Sequence, residues 1–123
     1  MDISKTELEV MQVIWGNNPV SSAEVVILLN EKREWHEKTV KTLLGRLVKK
    51  QALSYSKDGK KYLYSPLISE KAYQQKESTS FISRLFRGRV SPLVAGFAKQ
   101  EKLSRQDIEE LKQVIENWEK DND

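Results

Sequence analysis

The chain of 123 residues is 38% hydrophobic and 32% charged and carries a formal net charge of +3, which suits one domain or a small domain with an oligomerisation element. It has no cysteine and a single histidine, His36. This excludes disulfides and thiolate or polyhistidine metal sites, so we predict neither a metal nor another cofactor. No residue set typical of catalysis and no long apolar segment stands out, and we expect a cytoplasmic protein that is not an enzyme.

The positive charge is concentrated in the middle of the chain. Residues 31–65 carry 10 basic and 4 acidic side chains, and residues 66–100 carry 6 and 2, whereas both ends are net negative. Neutralising a phosphate backbone requires localised positive charge of this kind. The distribution therefore favours a polyanionic partner.

Two capping boxes predict two short helices before residue 33. Residues 4–7 start a helix that ends near Gly16, and residues 21–24 start another that ends near Lys32. The apolar residues of the first helix are Leu8, Met11, Ile14 and Trp15. Ser21 is most simply a helix cap, although Ser21, Ser22 and the amides beside them could instead hold a phosphate.

Residues 38–50 are the most informative segment, because they predict an amphipathic helix with two distinct faces. The inward face has apolar residues at helical spacing: Val40, Leu43, Leu44, Leu47 and Val48. The other face is cationic and hydroxylic, with no acid in that stretch: Lys38, Lys41, Thr42, Arg46 and Lys49. Such side chains can contact phosphates, guanine or a thymine methyl, so this face favours DNA over an ordinary solvated surface.

The contacts of this helix, taken as about residues 37–50, can be assigned by position. The N-terminal half of such a helix enters the major groove. We therefore assign Lys38, Thr39, Lys41 and Thr42 to base edges, and Arg46 to a base or a phosphate. Lys49 and Lys50 are assigned to phosphates.

A basic β-hairpin follows the helix. Residues 52–57 and 61–65 alternate in polarity, Asp58-Gly59 lies between them, and Pro66 ends the second strand. The basic residues at or beside the tip are Lys57, Lys60 and Lys61. We assign them to phosphates, although lysines also keep an edge strand soluble.

The order helix, helix, helix, hairpin predicts a winged helix-turn-helix that binds double-stranded DNA. The fold class is therefore mainly α with a small β-hairpin. We place a winged-helix DNA-binding domain at residues 1–67 and a helical dimerisation domain at residues 68–123.

The last 55 residues predict three more helices. The first starts at Ser69 and is broken by Gly88, the second has Ser91 as its N-cap, and the third starts with a capping box at residues 104–107. Their apolar residues need a partner surface, which we predict to be a second copy of the chain. The predicted dimer interface comprises Phe81, Leu85, Phe86, Leu93, Val94, Phe97, Ile108, Leu111, Ile115 and Trp118.

Residues 8–15, 38–50 and 62–65 together resemble the BlaI/MecI/CopY family of bacterial winged-helix repressors. The resemblance covers nearly the whole chain. It implies a homodimer that binds an inverted repeat with TACA/TGTA-like half-sites and blocks transcription. By position, the base-contacting residues of that family correspond to Lys38, Thr39, Lys41, Thr42 and Arg46.

Two departures from the family pattern bear on regulation. Copper-responsive members end in a cysteine-rich metal motif, which this chain lacks. β-Lactam-responsive members are cut before a phenylalanine, typically in an Asn-Phe pair, and the matching pair here is Gly96-Phe97. The resemblance therefore leaves cleavage at Gly96-Phe97 by a membrane receptor-protease of the BlaR/MecR type as a hypothesis, with Phe97 as a plain core residue the alternative.

A different function class also remains open at this point. A winged helix can serve as a protein-interaction module that does not bind specific DNA. Such a module would offer an apolar surface to its partner, but the Val/Leu face of residues 38–50 is predicted to lie in the core.

Overall fold

The computed structural model describes residues 2–122 and has the predicted mainly α architecture with a small sheet. The elements are α1 (Lys5–Gly16), β1 (Val20–Ser21), α2 (Ser22–Asn30), α3 (Glu37–Lys49), β2 (Leu53–Asp58), β3 (Lys61–Pro66), α4 (Glu70–Phe86), α5 (Ser91–Lys99) and α6 (Arg105–Asp121). Two compact units can be distinguished, Met1–Gln75 and Lys76–Asp123. The predicted domain boundary after residue 67 stays a prediction.

The first unit is built on the buried faces of α1, α2 and α3. The residues of this core are Val10, Met11, Ile14, Val20, Val25, Leu29, Trp35, Val40, Leu43, Leu44, Leu47, Ala52 and Leu53. Both predicted capping boxes are present, with Ser4 and Ser21 accepting from the backbone N–H three residues on. Each helix therefore begins where its sequence signal stands.

A short link fixes the direction in which the chain enters α3. The Asn30 side chain accepts from the Trp35 backbone N–H at 3.0 Å and donates to the Trp35 carbonyl at 3.3 Å. Trp35 itself is buried in the core. Because one residue separates Trp35 from the start of α3 at Glu37, the position of that helix is set by this anchor.

The sheet has three strands in the order β1-β3-β2, all antiparallel. The predicted hairpin is confirmed, and Gly59 has the positive φ of 65° that its turn requires. The strand β1 was not predicted, because a two-residue strand has no alternation to detect. It joins the start of α2 to the hairpin through the pairs Val20–Tyr64 and Ser21–Leu63.

Residues just after the hairpin pack on the first unit. The Trp15 indole N–H donates to the Ile68 carbonyl at 2.9 Å, and the Trp15 and Tyr73 ring centroids lie 5.8 Å apart. The first turn of α4 therefore belongs with the helices that precede it.

The second unit contains α5, α6 and the rest of α4. The capping box of Ser104 and Asp107 is confirmed. The prediction of Ser91 as an N-cap was wrong, because Val90 occupies that position in αR conformation and Ser91 is the first helical residue. Val90 has no side-chain group that could cap the helix, and Pro92 in the first turn favours the helix start, because its φ is restricted to helical values.

Candidate nucleic-acid interface

The two predicted faces of α3 are separated in the structure. Val40, Leu43, Leu44 and Leu47 are buried in the core. The predicted base- and phosphate-contacting residues on the opposite face are all exposed: Lys38, Thr39, Lys41, Thr42, Arg46 and Lys49. The core therefore holds the helix while a cationic surface faces outward.

Thr42 and Lys41 have intramolecular partners on this face. The Thr42 hydroxyl donates to the Lys38 carbonyl at 3.0 Å, which leaves its methyl group and its oxygen lone pairs for a partner. The Lys41 Nζ lies 3.0 Å from Glu37 Oε1, with both side chains exposed. The expected acid-free face was thus incomplete, because Glu37 precedes the stretch that defined it.

Lys50 has a structural role that its sequence position did not reveal. Its Nζ donates to Glu7 Oε1 at 2.6 Å and to the Asp2 carbonyl at 2.7 Å. Glu7 is 1% exposed. Because this ammonium compensates a buried carboxylate, we do not retain Lys50 among the candidate phosphate contacts.

The burial of Glu7 was not predicted from the sequence, because the glutamate of a capping box usually lies at the protein surface. Burial alone would raise the pKa of its carboxyl, but hydrogen bonds from Lys50 and from Ser4 outweigh burial and hold that pKa below its usual range. Its Oε2 is buried and has no hydrogen-bond partner among residues 2–122. Lys50 therefore supplies the cationic partner of this buried carboxylate, beside the Ser4 backbone N–H that also donates to Oε1.

The wing brings further cations beside α3. Lys57, Lys60 and Lys61 are exposed at the end of the hairpin. A cleft of about 430 Å³ lies between this hairpin, the start of α2 and α3. Among the described residues, no acidic side chain lines this cleft. Its lining residues are Ser21, Ser22, Ala23, Lys41, Lys60, Lys61, Tyr62 and Tyr64. Its charge and hydroxyl groups suit a phosphate group.

Ser21 serves as the cap in this cleft. Its hydroxyl accepts from the Glu24 backbone N–H at 3.3 Å and lies 2.9 Å from Glu24 Oε1, to which it donates. These bonds occupy the Ser21 hydroxyl, as the capping interpretation predicted.

The alternation of Tyr55, Tyr62 and Tyr64 along the strands predicts packing, with stacking on single-stranded bases as the alternative. It did not indicate that Tyr62 and Tyr64 line this cleft. Tyr55 and Tyr62 stack edge to face at 5.1 Å and are about half exposed. Burial raises the pKa of the Tyr64 hydroxyl, with Tyr55 and Tyr62 adding to the effect. The Tyr64 hydroxyl therefore remains protonated near neutral pH and can donate a hydrogen bond.

Comparison with known proteins identifies the family. The penicillinase repressor family model matches residues 3–117. The chain belongs to the penicillinase repressor family. It is 40% identical over 114 residues to the penicillinase repressor of Bacillus licheniformis, covering 93% of this chain and 89% of that protein. It is also 35% identical to the methicillin resistance regulatory protein MecI of Mammaliicoccus sciuri, covering 93% of each.

Solved structures of repressor domains share the fold of this family member. The solution structure of the DNA-binding domain of the repressor BlaI superposes with a TM-score of 0.54 and 43% identity, covering 58% of this chain and 88% of that chain. The monomeric form of Bacillus licheniformis BlaI in complex with the blaP half-operator gives a TM-score of 0.52 and 42% identity, covering 59% and 89%. The predicted family and the winged-helix fold are therefore confirmed.

The second unit of this repressor family member exposes many large apolar side chains. Among the predicted interface residues, Phe81, Leu85, Phe97, Leu111, Ile115 and Trp118 are exposed, and the other four are half-buried. Residues 2–122 include no group of acidic and histidine side chains that could hold a metal ion. No helix in that range is long and apolar enough to cross a membrane.

Proposed function

We propose that this member of the penicillinase repressor family is a homodimer that binds an inverted-repeat operator and represses transcription. The observation that carries the proposal is the exposed cationic face of α3 beside the wing lysines. It is supported by the complex of the related BlaI with the blaP half-operator. The Val/Leu face of α3 in this chain is buried in the core. A winged helix that binds another protein instead of DNA would therefore lack an apolar docking surface on α3.

The residues have distinct roles in this proposal. Lys38, Thr39, Lys41 and Thr42 contact base edges, and Arg46 contacts a base or a phosphate. The phosphate contacts are assigned to Lys49, Lys57, Lys60 and Lys61. The cleft beside the wing, with Ser22 and the Tyr64 hydroxyl, supplies further donors to the same backbone.

The proposed dimer contact lies in the second unit. The side chains of α6 with spacings of 3, 4 and 3 residues form one stripe, and in it Leu111, Ile115 and Trp118 are 37%, 56% and 64% exposed. A second copy of the chain would remove these side chains from water. Two wings related by a twofold axis would then match a twofold-symmetric operator.

Titration of two duplexes tests this proposal. One duplex carries two TACA/TGTA-like half-sites, and the other has one half-site scrambled. We expect two protomers per full duplex by sedimentation velocity, and fluorescence anisotropy should show at least roughly tenfold weaker binding to the half-site duplex. One protomer on the saturated full duplex, or equal affinity for both duplexes, would contradict the dimeric operator complex.

Release of repression is proposed to follow cleavage between Gly96 and Phe97 by a membrane receptor-protease of the BlaR/MecR type. The bond lies inside α5, where the Gly96 carbonyl accepts from the Gln100 backbone N–H at 3.2 Å and Phe97 is 45% exposed. Cleavage would require this short helix to unwind locally, and it would separate α6 from the wing. Mass spectrometry of the protein from induced cells tests it, and an intact 14.3 kDa chain throughout derepression would rule it out.

A further inference from the structure

One acidic side chain lies on the face of α3 that is otherwise cationic. Glu37 is the first residue of the helix, and its carboxylate lies 3.0 Å from the Lys41 ammonium. Their side chains are 69% and 59% exposed. Both line one shallow depression together with His36, Lys38 and Thr42. The carboxylate therefore belongs to the surface that the proposed function assigns to bases.

An acid in the first turn of a helix commonly stabilises the helix dipole, and an i,i+4 pair with lysine adds slightly to that effect. Both effects are small and would be equally available on a helix far from DNA. Here the carboxylate has a cost, because it would approach a dense row of phosphates and would hold the Lys41 ammonium away from them. The N-cap residue His36 makes no side-chain cap hydrogen bond, so Glu37 is not part of a capping box with it. A favourable contact made only in the specific complex would offset this cost.

The base edges of the major groove provide such a contact. Cytosine presents its N4 amino group, which a carboxylate accepts, and the guanine paired with it presents O6 and N7, to which lysine donates. Glu37 and Lys41 offer an acceptor and a donor side by side, which matches the order of groups across one C·G pair. The phosphate backbone, in contrast, offers only acceptors and repels Glu37.

We propose that Glu37 is a specificity-determining residue that accepts a hydrogen bond from a cytosine amino group while Lys41 donates to the paired guanine. This inference rests on the proposed DNA-binding function. The carboxylate weakens binding to DNA of the wrong sequence and strengthens binding to the operator, which is how a repulsive element increases selectivity. The pair thus acts as one unit that reads a base pair.

Parallel selections from a duplex library with a randomised centre test the proposal. The full-length protein, Glu37→Ala and Glu109→Ala each select their preferred duplexes. Glu109 is a matched control, because it pairs at i,i+4 with Arg105 on α6 at 3.9 Å and is 61% exposed. Circular dichroism and sedimentation velocity check that all three proteins fold and associate alike.

The expected result is a loss at a single base pair. The unsubstituted protein and Glu109→Ala should both require cytosine at one position in each half-site. Glu37→Ala should reduce that preference roughly tenfold, leave the other positions unchanged, and bind a scrambled duplex more tightly than the unsubstituted protein does.

Three outcomes would overturn the inference in distinguishable ways. An unchanged selection profile for Glu37→Ala would reduce Glu37 to a helix-surface residue and leave the proposed function intact. Equal weakening at every position would show that Glu37 acts through stability alone. An unsubstituted protein that selects no sequence would contradict the proposed function, and the role of Glu37 would fall with it.

Discussion

Lys41 is shared by three features of the candidate DNA-binding surface. It is exposed at the centre of the cationic face of α3, pairs with Glu37, and lines the cleft beside Lys60, Lys61 and Tyr64. In Lys41→Glu a donor for guanine or for a phosphate becomes an acceptor, which both of those acceptor groups repel. Operator affinity should fall by about a hundredfold or more, since a lost contact and a new repulsion act together.

Fluorescence anisotropy measures the operator affinity. Lys120→Glu is the control, because it changes the net charge by the same amount. Lys120 is exposed in the last turn of α6, so its reversal should have little effect on operator binding. Thermal unfolding of both variants should remain close to that of the unsubstituted protein. Normal operator binding by Lys41→Glu would refute the assignment of this face.

The ion pair of Glu7 and Lys50 contributes to the stability of the first unit. In Lys50→Met the nearly inaccessible Glu7 carboxylate loses its cationic partner, which we expect to lower the free energy of unfolding at pH 7 by about 2 kcal/mol. This is below the usual loss for a buried pair, because the Lys50 side chain is 36% exposed.

The effect should depend on pH in a defined direction. Because the pKa of Glu7 is lowered in the folded protein, its stabilisation is present above the unfolded pKa of about 4.3 and is lost as the pH falls through the folded pKa. Urea unfolding at pH 7 and pH 3 should therefore show a smaller difference between the two proteins at pH 3. A difference that stays constant would mean that the ion pair contributes nothing.

At the scale of elements, sequence periodicity and capping signals were sufficient for most of the fold. Ser4, Ser21 and Ser104 each begin a helix through a capping box, because these signals act within four residues. The start of α4 after Ser69 was predicted in the same way and is confirmed. The strand β1 and the packing of the first turn of α4 against Trp15 could not be predicted, because they depend on partners far along the chain.

The candidate site also combines features that local sequence predicts with features that depend on distant residues. The exposure of Lys38 and Arg46 follows from helical spacing alone, as the structure confirms. The diversion of Lys50 to Glu7 and the placement of Tyr64 beside Lys41 do not, because each joins side chains from elements distant in sequence. Local patterns reveal which face of α3 is exposed, whereas packing decides which cations on it are available.

The second unit supports a prediction about α6. Leu111→Asp introduces a charge into the proposed apolar interface, where its desolvation without a partner should cost roughly 3 kcal/mol. Dimer affinity should fall by about a hundredfold, and operator affinity with it. Gln113→Asp, two residues along on another side of α6, is the matched control, because Gln113 is exposed and contacts Asn117. Sedimentation velocity at micromolar concentration distinguishes them, and a Leu111→Asp variant that remains dimeric would refute this interface.

At the scale of the whole molecule, the distribution of charge and apolar surface follows the division into two units. The first unit contains the cationic face and the wing, and the second contains the exposed apolar stripe of α6. In the proposed dimer, operator binding needs both the base contacts of the first unit and association through the second, so loss of either would abolish it. This explains why the proposed cleavage in α5 would suffice for release without any change in α3.

Sequence-specific binding of DNA by α3 is the central claim, and fluorescence anisotropy across a salt series tests it most directly. The unsubstituted protein is titrated with a duplex carrying the TACA/TGTA dyad and with the same duplex scrambled. We expect the dyad to bind at least roughly a thousandfold more tightly, with log K falling against log salt at a slope steeper than about −4. Equal binding to both duplexes would contradict the operator assignment, and no binding to either at low salt would contradict DNA recognition by this face.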